Sequence, residues 1–296
     1  MEEVLKFENV TKKYGKVLAL NNLSLSIPKG SIYGILGPNG SGKTTALGIA
    51  LGVIRQNEGG YSWFGQPSSD KARKQIGALL ETPNFYPYLS AEQNLKVAAA
   101  IKEVDDNDID RVLDIVNLSS RKKSKFSGFS LGMKQRLAIA SVLLGDPQVI
   151  VLDEPANGLD PQGIAEVREL IIKLGSKGHT IIVASHIIEE VEKVCTHVVV
   201  IKQGNKLAEG EIGEVLREED FMVLDATDQD KLLSFLESNK QTRNIIKERG
   251  KLKVSFSNEI SAGEINRLLF QQGIVLTHLE MKKKNLETRF FELTGK

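Results

Sequence analysis

Residues 37–44 read GPNGSGKT and fit the pattern G-x-x-x-x-G-K-[ST] in full. These residue types suit phosphate chemistry. Gly37, Gly40 and Gly42 allow a backbone curl whose successive N–H groups point inward at phosphate oxygens. A helix start just after the loop adds positive potential there. Lys43 would then bridge the β- and γ-phosphates of a nucleoside triphosphate, and the Thr44 hydroxyl would meet Mg²⁺. The plain alternative is a glycine-rich turn followed by a chance lysine. The strand-like SIYGIL before the loop and the helical pattern after it count against that alternative.

Carboxylates come from VIVLDEP, residues 149–155. An acid at the end of a buried strand costs energy unless a cation meets it. Asp153 is placed to meet Mg²⁺, in part through water. Glu154 lies on the other side of the strand end, placed to orient and deprotonate an attacking water. An acidic strand end that merely caps a loop is the competing reading, and the phosphate loop elsewhere in the chain weakens it. His186 follows the apolar TIIVAS and could hydrogen-bond a γ-phosphate as neutral imidazole. Taken alone, a satisfied histidine at a strand–helix junction is the simpler reading. Tyr14 sits in the turn KKYGK and could stack on adenine, though a lone turn tyrosine is more often just a surface residue. The basic RKKSK at 121–125 reads as a solvated face. Four histidines and one cysteine show no zinc-ligand spacing.

The elements that must hold these residues follow from hydropathy. The first 36 residues alternate as three short strands. A helix is predicted from Thr44, and a hairpin over GGYSWFGQP. Residues 90–118 read as helical with Ser90 as N-cap. PQVIVLDEP and HTIIVASH are continuous apolar runs, as expected of strands buried on both faces of a parallel sheet. Asp160-Pro161 opens a helix. HVVVIKQGNKLAEG reads as strands around a Gly-Asn turn. The charged REED marks a boundary near residue 218. Beyond it the predicted order is β-α-β-β-α-β, the ferredoxin-like arrangement, with a last helix over LETRFFELTGK.

Composition sets bounds. The 296 residues are 41% hydrophobic and 26% charged, ordinary for a globular protein, and the formal net charge is +1. That charge makes no electrostatic case for nucleic acid or an anionic membrane. The single cysteine, Cys195, excludes an internal disulfide and suggests a reducing compartment. The acidic, alternating MEEVLKFENV is unlike a signal peptide, and no apolar run reaches the roughly 20 residues of a membrane helix. Work at a membrane would need a partner.

Over residues 4–218 the chain resembles the ATP-binding subunits of ABC transporters, and the motifs stand in family order. Tyr14 matches the adenine-stacking aromatic. Gly37, Pro38, Asn39, Gly40, Ser41, Gly42, Lys43, Thr44 and Thr45 match the phosphate loop. SLGMKQR resembles the signature, usually L-S-G-G-Q, with Ser130 and Gly132 at its Ser and Gly. LDEP matches the acidic strand, NGLDP the D-loop with Asp160 as its acid, and His186 the switch histidine. Two departures stand out. Phe129 and Leu131-Gly132-Met133 surround Ser130, and Glu81 occupies the usual glutamine of the Q-loop. A carboxylate there can bind Mg²⁺ more strongly than a glutamine carbonyl, at the cost of negative charge near the triphosphate. The form ETP-x-FYP and the ending LETRFFELTGK resemble the ATPases of bacitracin-resistance and lantibiotic-immunity exporters.

The resemblance implies an α/β P-loop ATPase domain over residues 1–218, with a mostly parallel core sheet, an antiparallel β subdomain and a helical subdomain inserted at about 82–144. Residues 219–296 form a small accessory domain. It implies ATP and Mg²⁺ as ligands, and ATP-driven closure of a head-to-tail homodimer, or of a heterodimer with a similar ATPase. In that dimer Ser130 and Gly132 of one subunit cover the γ-phosphate held by the other. It implies a separate transmembrane permease that holds the chain on the inner face of the cell membrane, and no nucleic acid. The alternatives are a soluble ABC ATPase of DNA repair or translation and a binding-only regulatory module. One set of motifs and a charge of +1 speak against the first, and Glu154 and His186 against the second.

Overall fold

The computed structural model describes residues 2–80, 84–216, 221–248, 250–257, 260–282 and 290. The chain divides into two compact units, Met1–Ile212 and Gly213–Lys296; the composition change marks 218. Glu81 and, apart from residue 290, the predicted last helix lie outside the described residues.

The first unit is built on a six-stranded sheet. Its order is Asn205–Glu211, His197–Lys202, Ile32–Leu36, Thr180–Ser185, Val149–Asp153, Ile76–Leu79. Neighbours are parallel except for the edge pair Asn205–Glu211 and His197–Lys202. Every residue of the three middle strands is buried, which is why those segments read as unbroken apolar runs. An antiparallel sheet, ordered Val17–Pro28, Glu3–Tyr14, Glu58–Trp63, Gln66–Pro67, packs its apolar face into a shared core with the helix Lys43–Ala50. Trp63 is fully buried there, and its Nε1–H donates to Ala50 O at 2.7 Å. That bond satisfies a carbonyl at the helix end and fixes the helix that follows the phosphate loop.

Two expectations change in detail. The helical stretch 90–118 is two helices, Ala91–Lys102 and Ile109–Ile115. Glu103 adopts a left-handed conformation, φ 56°, and the Asp105 side chain caps a short turn after it. Ser90 does cap the first helix, through a reciprocal pair with Gln93. The hairpin near 204 turns on Gln203-Gly204, both with positive φ, and Asn205 already pairs with Lys202. The two-residue turn needs left-handed conformations at both central positions, and Gln203 accepts one.

The second unit has strands Phe221–Ala226, Thr242–Glu248, Lys251–Phe256 and Leu276–Lys282 and helices Gln229–Ser238 and Ala262–Gln271. Its first strand lies between the third and fourth, the second pairs with the third, and all neighbours are antiparallel. This is the ferredoxin-like arrangement, closed by a core that includes Met222, Leu224, Leu232, Val254 and Leu269.

Candidate nucleotide site

The phosphate loop leaves the carboxyl end of the central strand Ile32–Leu36. Gly37 is required by space: a methyl group added there would stand 2.3 Å from Ile201 O and 2.5 Å from Ser41 Oγ. Gly42 is required twice over, by φ 110° and by Ala19 O, 2.5 Å from an added methyl. Asn39 and Gly40 form an exposed tip, Ser41 is buried, Pro38 and Thr45 are half-buried. Gly42 is the N-cap of the helix Lys43–Ala50 and no side chain caps it. The first-turn N–H groups of that helix are therefore available to an anion. Gly204 N donates to Ser41 O at 2.9 Å, and Gly204 O accepts from Asn21 N at 2.9 Å, so the hairpin braces the loop from behind.

A chain of contacts joins the predicted chemical groups. Thr44 Oγ1 donates to Asp153 Oδ2 at 2.8 Å. Lys43, 5% exposed, donates from Nζ to Gly37 O at 2.8 Å and stands 3.2 Å from Glu154 Oε1. Glu154 Oε2 lies 2.8 Å from His186 Nδ1 and accepts from His186 N at 3.4 Å. The geometry at Glu154 is local in origin. Its φ is 49° and its N–H donates to Ala184 O, so the strand ends in a left-handed step. Asp153 meets Thr44 and Glu154 meets Lys43 and His186. A carboxylate accepts only, so His186 Nδ1 carries a proton and Nε2 of the neutral ring is bare. While this bond holds, the other ring nitrogen, Nε2, is the one left to face a phosphate.

The oxygen donors Thr44 and Asp153 suit a hard cation. Among the described residues no group of three or more His, Cys, Asp or Glu side chains could hold a metal unaided. Mg²⁺ takes one or two protein oxygens and completes its shell with phosphate and water, so Thr44 and Asp153 are the residues that would hold it.

Ser130, Gly132 and Asp160 form a second group. Ser130 caps the helix Leu131–Leu143, accepting from Met133 N at 3.3 Å. Asp160 caps the helix Pro161–Ser176, accepting from Gly163 N at 2.8 Å, with Pro161 at its first position. A methyl added at Gly132 would find its nearest neighbour, Gly163 Cα, at 3.9 Å, and one at Gly158 would find Leu131 Cδ2 at 3.5 Å. The two helix starts therefore abut. Phe129 is buried in an aromatic cluster, 6.0 Å from the Phe126 ring, which in turn lies 5.2 Å from Phe85. This accounts for a phenylalanine before Ser130. Tyr14 is 46% exposed, with Lys12 Nζ 4.9 Å from its ring centre.

The braces Ala19 and Gly204 escaped the sequence reading. A turn was visible there, read as Gly-Asn, but its contact with Ser41 depends on topology.

Such a fold and loop define a P-loop ATPase, and the comparisons give its family. The ABC transporter family matches residues 20–157. The bacitracin transport ATP-binding protein BcrA of Enterococcus faecalis is 36% identical over 302 residues, spanning 100% of this chain and 97% of that protein. The lantibiotic transport ATP-binding protein SrtF of Streptococcus pyogenes is 41% identical over 208 residues, spanning 70% of this chain and 91% of that one. Among solved structures, cbiO1 of Clostridium perfringens, part of the ABC transporter complex cbiONQ, superposes with a TM-score of 0.67 at 30% identity, covering 74% of this chain and 92% of that one. The dimeric ATP-binding cassette MJ0796, bound to ADP and Pi after hydrolysis, gives 0.61 at 28% identity, covering 70% and 98%. The chain belongs to the ABC transporter ATP-binding proteins: it binds and hydrolyses ATP as the energy-supplying subunit of a transporter. The match to BcrA includes the second unit. Among the described residues no helix is long and apolar enough to cross a membrane.

Proposed function

We propose that two copies of this chain, or one copy and a similar ATPase, close head to tail around ATP and Mg²⁺ and drive a separate permease that exports its substrate. In this reading Tyr14 stacks on adenine and the loop from Gly37 to Thr45 wraps the phosphates, with Lys43 on the β- and γ-oxygens. Thr44 and Asp153 hold Mg²⁺, which neutralises phosphate charge when bound. Glu81 adds a carboxylate oxygen in place of the family's glutamine. Glu154 takes a proton from the attacking water, and His186, bonded to Glu154, orients that carboxylate and reaches the γ-phosphate. Asp160 and its loop line the same dimer interface. Export is supported by the relatives named for bacitracin and lantibiotic transport. The nucleic-acid alternative gains nothing from them. The permease would keep this chain on the inner face of the membrane.

The observation that carries the shared site is the clearance at Gly132. Nothing inside the subunit crowds an added methyl, so this helix start is open to approach from outside. The test combines two inactive proteins, Lys43→Ala and Gly132→Asp, in a heterodimer purified through two tags. One composite site is doubly broken and the other intact, so part of the ATPase activity is expected to return. A heterodimer as inactive as both parents sinks the shared site, provided that a tethered dimer with both changes in one subunit retains activity.

A further inference from the structure

The helices Leu131–Leu143 and Pro161–Ser176 meet along a seam. At its top Gly132 faces Gly163, with 3.9 Å between an added methyl and Gly163 Cα. One turn further, at i+4 on one helix and i+3 on the other, Arg136 Nε stands 3.3 Å from Glu166 Oε2. These spacings put both residues on the facing sides of their helices. Beyond them the seam opens into a cleft of about 340 Å³. On that side the ion pair is bordered by open space.

Arg136 holds a third element too. Its Nη1 donates to Val116 O at 3.1 Å and Asn117 O at 3.3 Å, carbonyls just past the helix Ile109–Ile115. Glu166 is anchored on its own side, accepting from Gln162 Nε2 at 3.1 Å. The Arg136 guanidinium thus joins the helical subdomain to the helix led by Asp160. Its Nε–H is buried and, although charged contact with Glu166 is close, aligned with no acceptor. A small rotation of one helix on the other can make that hydrogen bond.

We infer that Arg136, through Glu166, is a positioning residue for the composite ATP site: it makes Ser130–Gly132 and the Asp160 loop move as one surface when a partner closes. This rests on the shared-site reading above. The pair touches no nucleotide group, so its loss should leave the subunit's own ATP binding alone and impair closure.

The test uses the full chain with Glu154→Gln, in which slow hydrolysis lets the ATP-bound dimer accumulate. Glu166→Gln, Arg136→Met and their combination are added, with Glu169→Gln, which lines the same cleft, as a control. Dimer fraction is followed by sedimentation against ATP concentration. Nucleotide affinity of the monomer and melting are followed separately. Glu166→Gln is expected to raise the ATP needed for half-dimerisation by about fivefold or more, with monomer affinity within about twofold and Glu169→Gln parent-like. The double variant should be no worse than Arg136→Met alone. A parent-like dimerisation curve for Glu166→Gln overturns the inference. So do equal losses in monomer affinity, and so do additive effects of the two changes. If the Glu154→Gln parent itself stays monomeric with ATP, the shared-site reading falls and takes this inference with it.

Discussion

The phosphate loop and the signature turn both use glycine at a helix start, for opposite reasons. Gly37 and Gly42 are hemmed in by the chain itself, with carbonyl oxygens 2.3 and 2.5 Å from an added methyl. Gly132 has no such neighbour within 3.9 Å. The first pair is explained by the subunit's own packing; for Gly132 that packing gives no reason, and the proposed docking of a second subunit does. Crowding inside the subunit therefore accounts for Gly37 and Gly42 and leaves Gly132 to another cause.

The largest effect that could break this comparison is on stability. Gly42→Ala must relieve a contact with backbone and a positive φ, and is expected to cost about 3 kcal/mol or more. Gly132→Ala is expected to stay within about 0.5 kcal/mol. Denaturant unfolding measures both, and comparable losses would remove the distinction. The Gly132 variant should nevertheless lose ATPase activity.

A second effect sharpens the contrast by pH. The far end of the signature helix is held by Lys102, whose Nζ donates to Ser141 O at 2.7 Å and Val142 O at 2.8 Å. Burial lowers this ammonium from the ordinary 10.5 to about 8. Between those values the unfolded chain binds the extra proton, so stability rises with pH through that window; below pH 8 the full burden remains. From pH 7.5 to 10 the parent is expected to gain about 2 kcal/mol over Lys102→Met. A pH-independent difference between the two would show that Lys102 is not desolvated.

The smallest effects are expected at Tyr14 and Glu81. Tyr14→Ala is expected to weaken ATP binding by about fivefold to tenfold, the loss of one stacked base. Glu81→Gln should keep Mg²⁺-dependent hydrolysis within about tenfold, because an oxygen ligand survives. Binding by calorimetry and rates at limiting Mg²⁺ decide these. A parent-like affinity in the first, or a collapse of activity in the second, would reassign the residue.

Legibility in the sequence followed the range of the forces involved. Lys43, Thr44, Asp153 and Glu154 announce themselves because the chemistry demands particular types at fixed spacing after apolar strands. The ferredoxin-like order was readable because its strands alternate and its helices carry caps, Asp228 and Ser261. Glu103 hid a helix end, since glutamate is a good helix former and its left-handed turn has no local signal. Arg136–Glu166, Lys102 and the Gly204 brace were invisible for another reason. Each joins segments dozens of residues apart, or more, and only the topology says which faces meet.

The sheet order has a consequence for the chain as it is being made. The strand carrying the phosphate loop, Ile32–Leu36, pairs on one side with 181–185 and on the other with 197–200. Both walls are synthesised about 150 residues later. At roughly 5–20 residues per second the loop waits on the order of ten seconds on the ribosome without either neighbour. The nucleotide pocket is thus among the last parts of the first unit to become whole. A nascent chain stalled before residue 180 carries the whole GPNGSGKTT sequence with Ala19 behind Gly42 and Asp153 beside Thr44, but without either sheet neighbour of its strand.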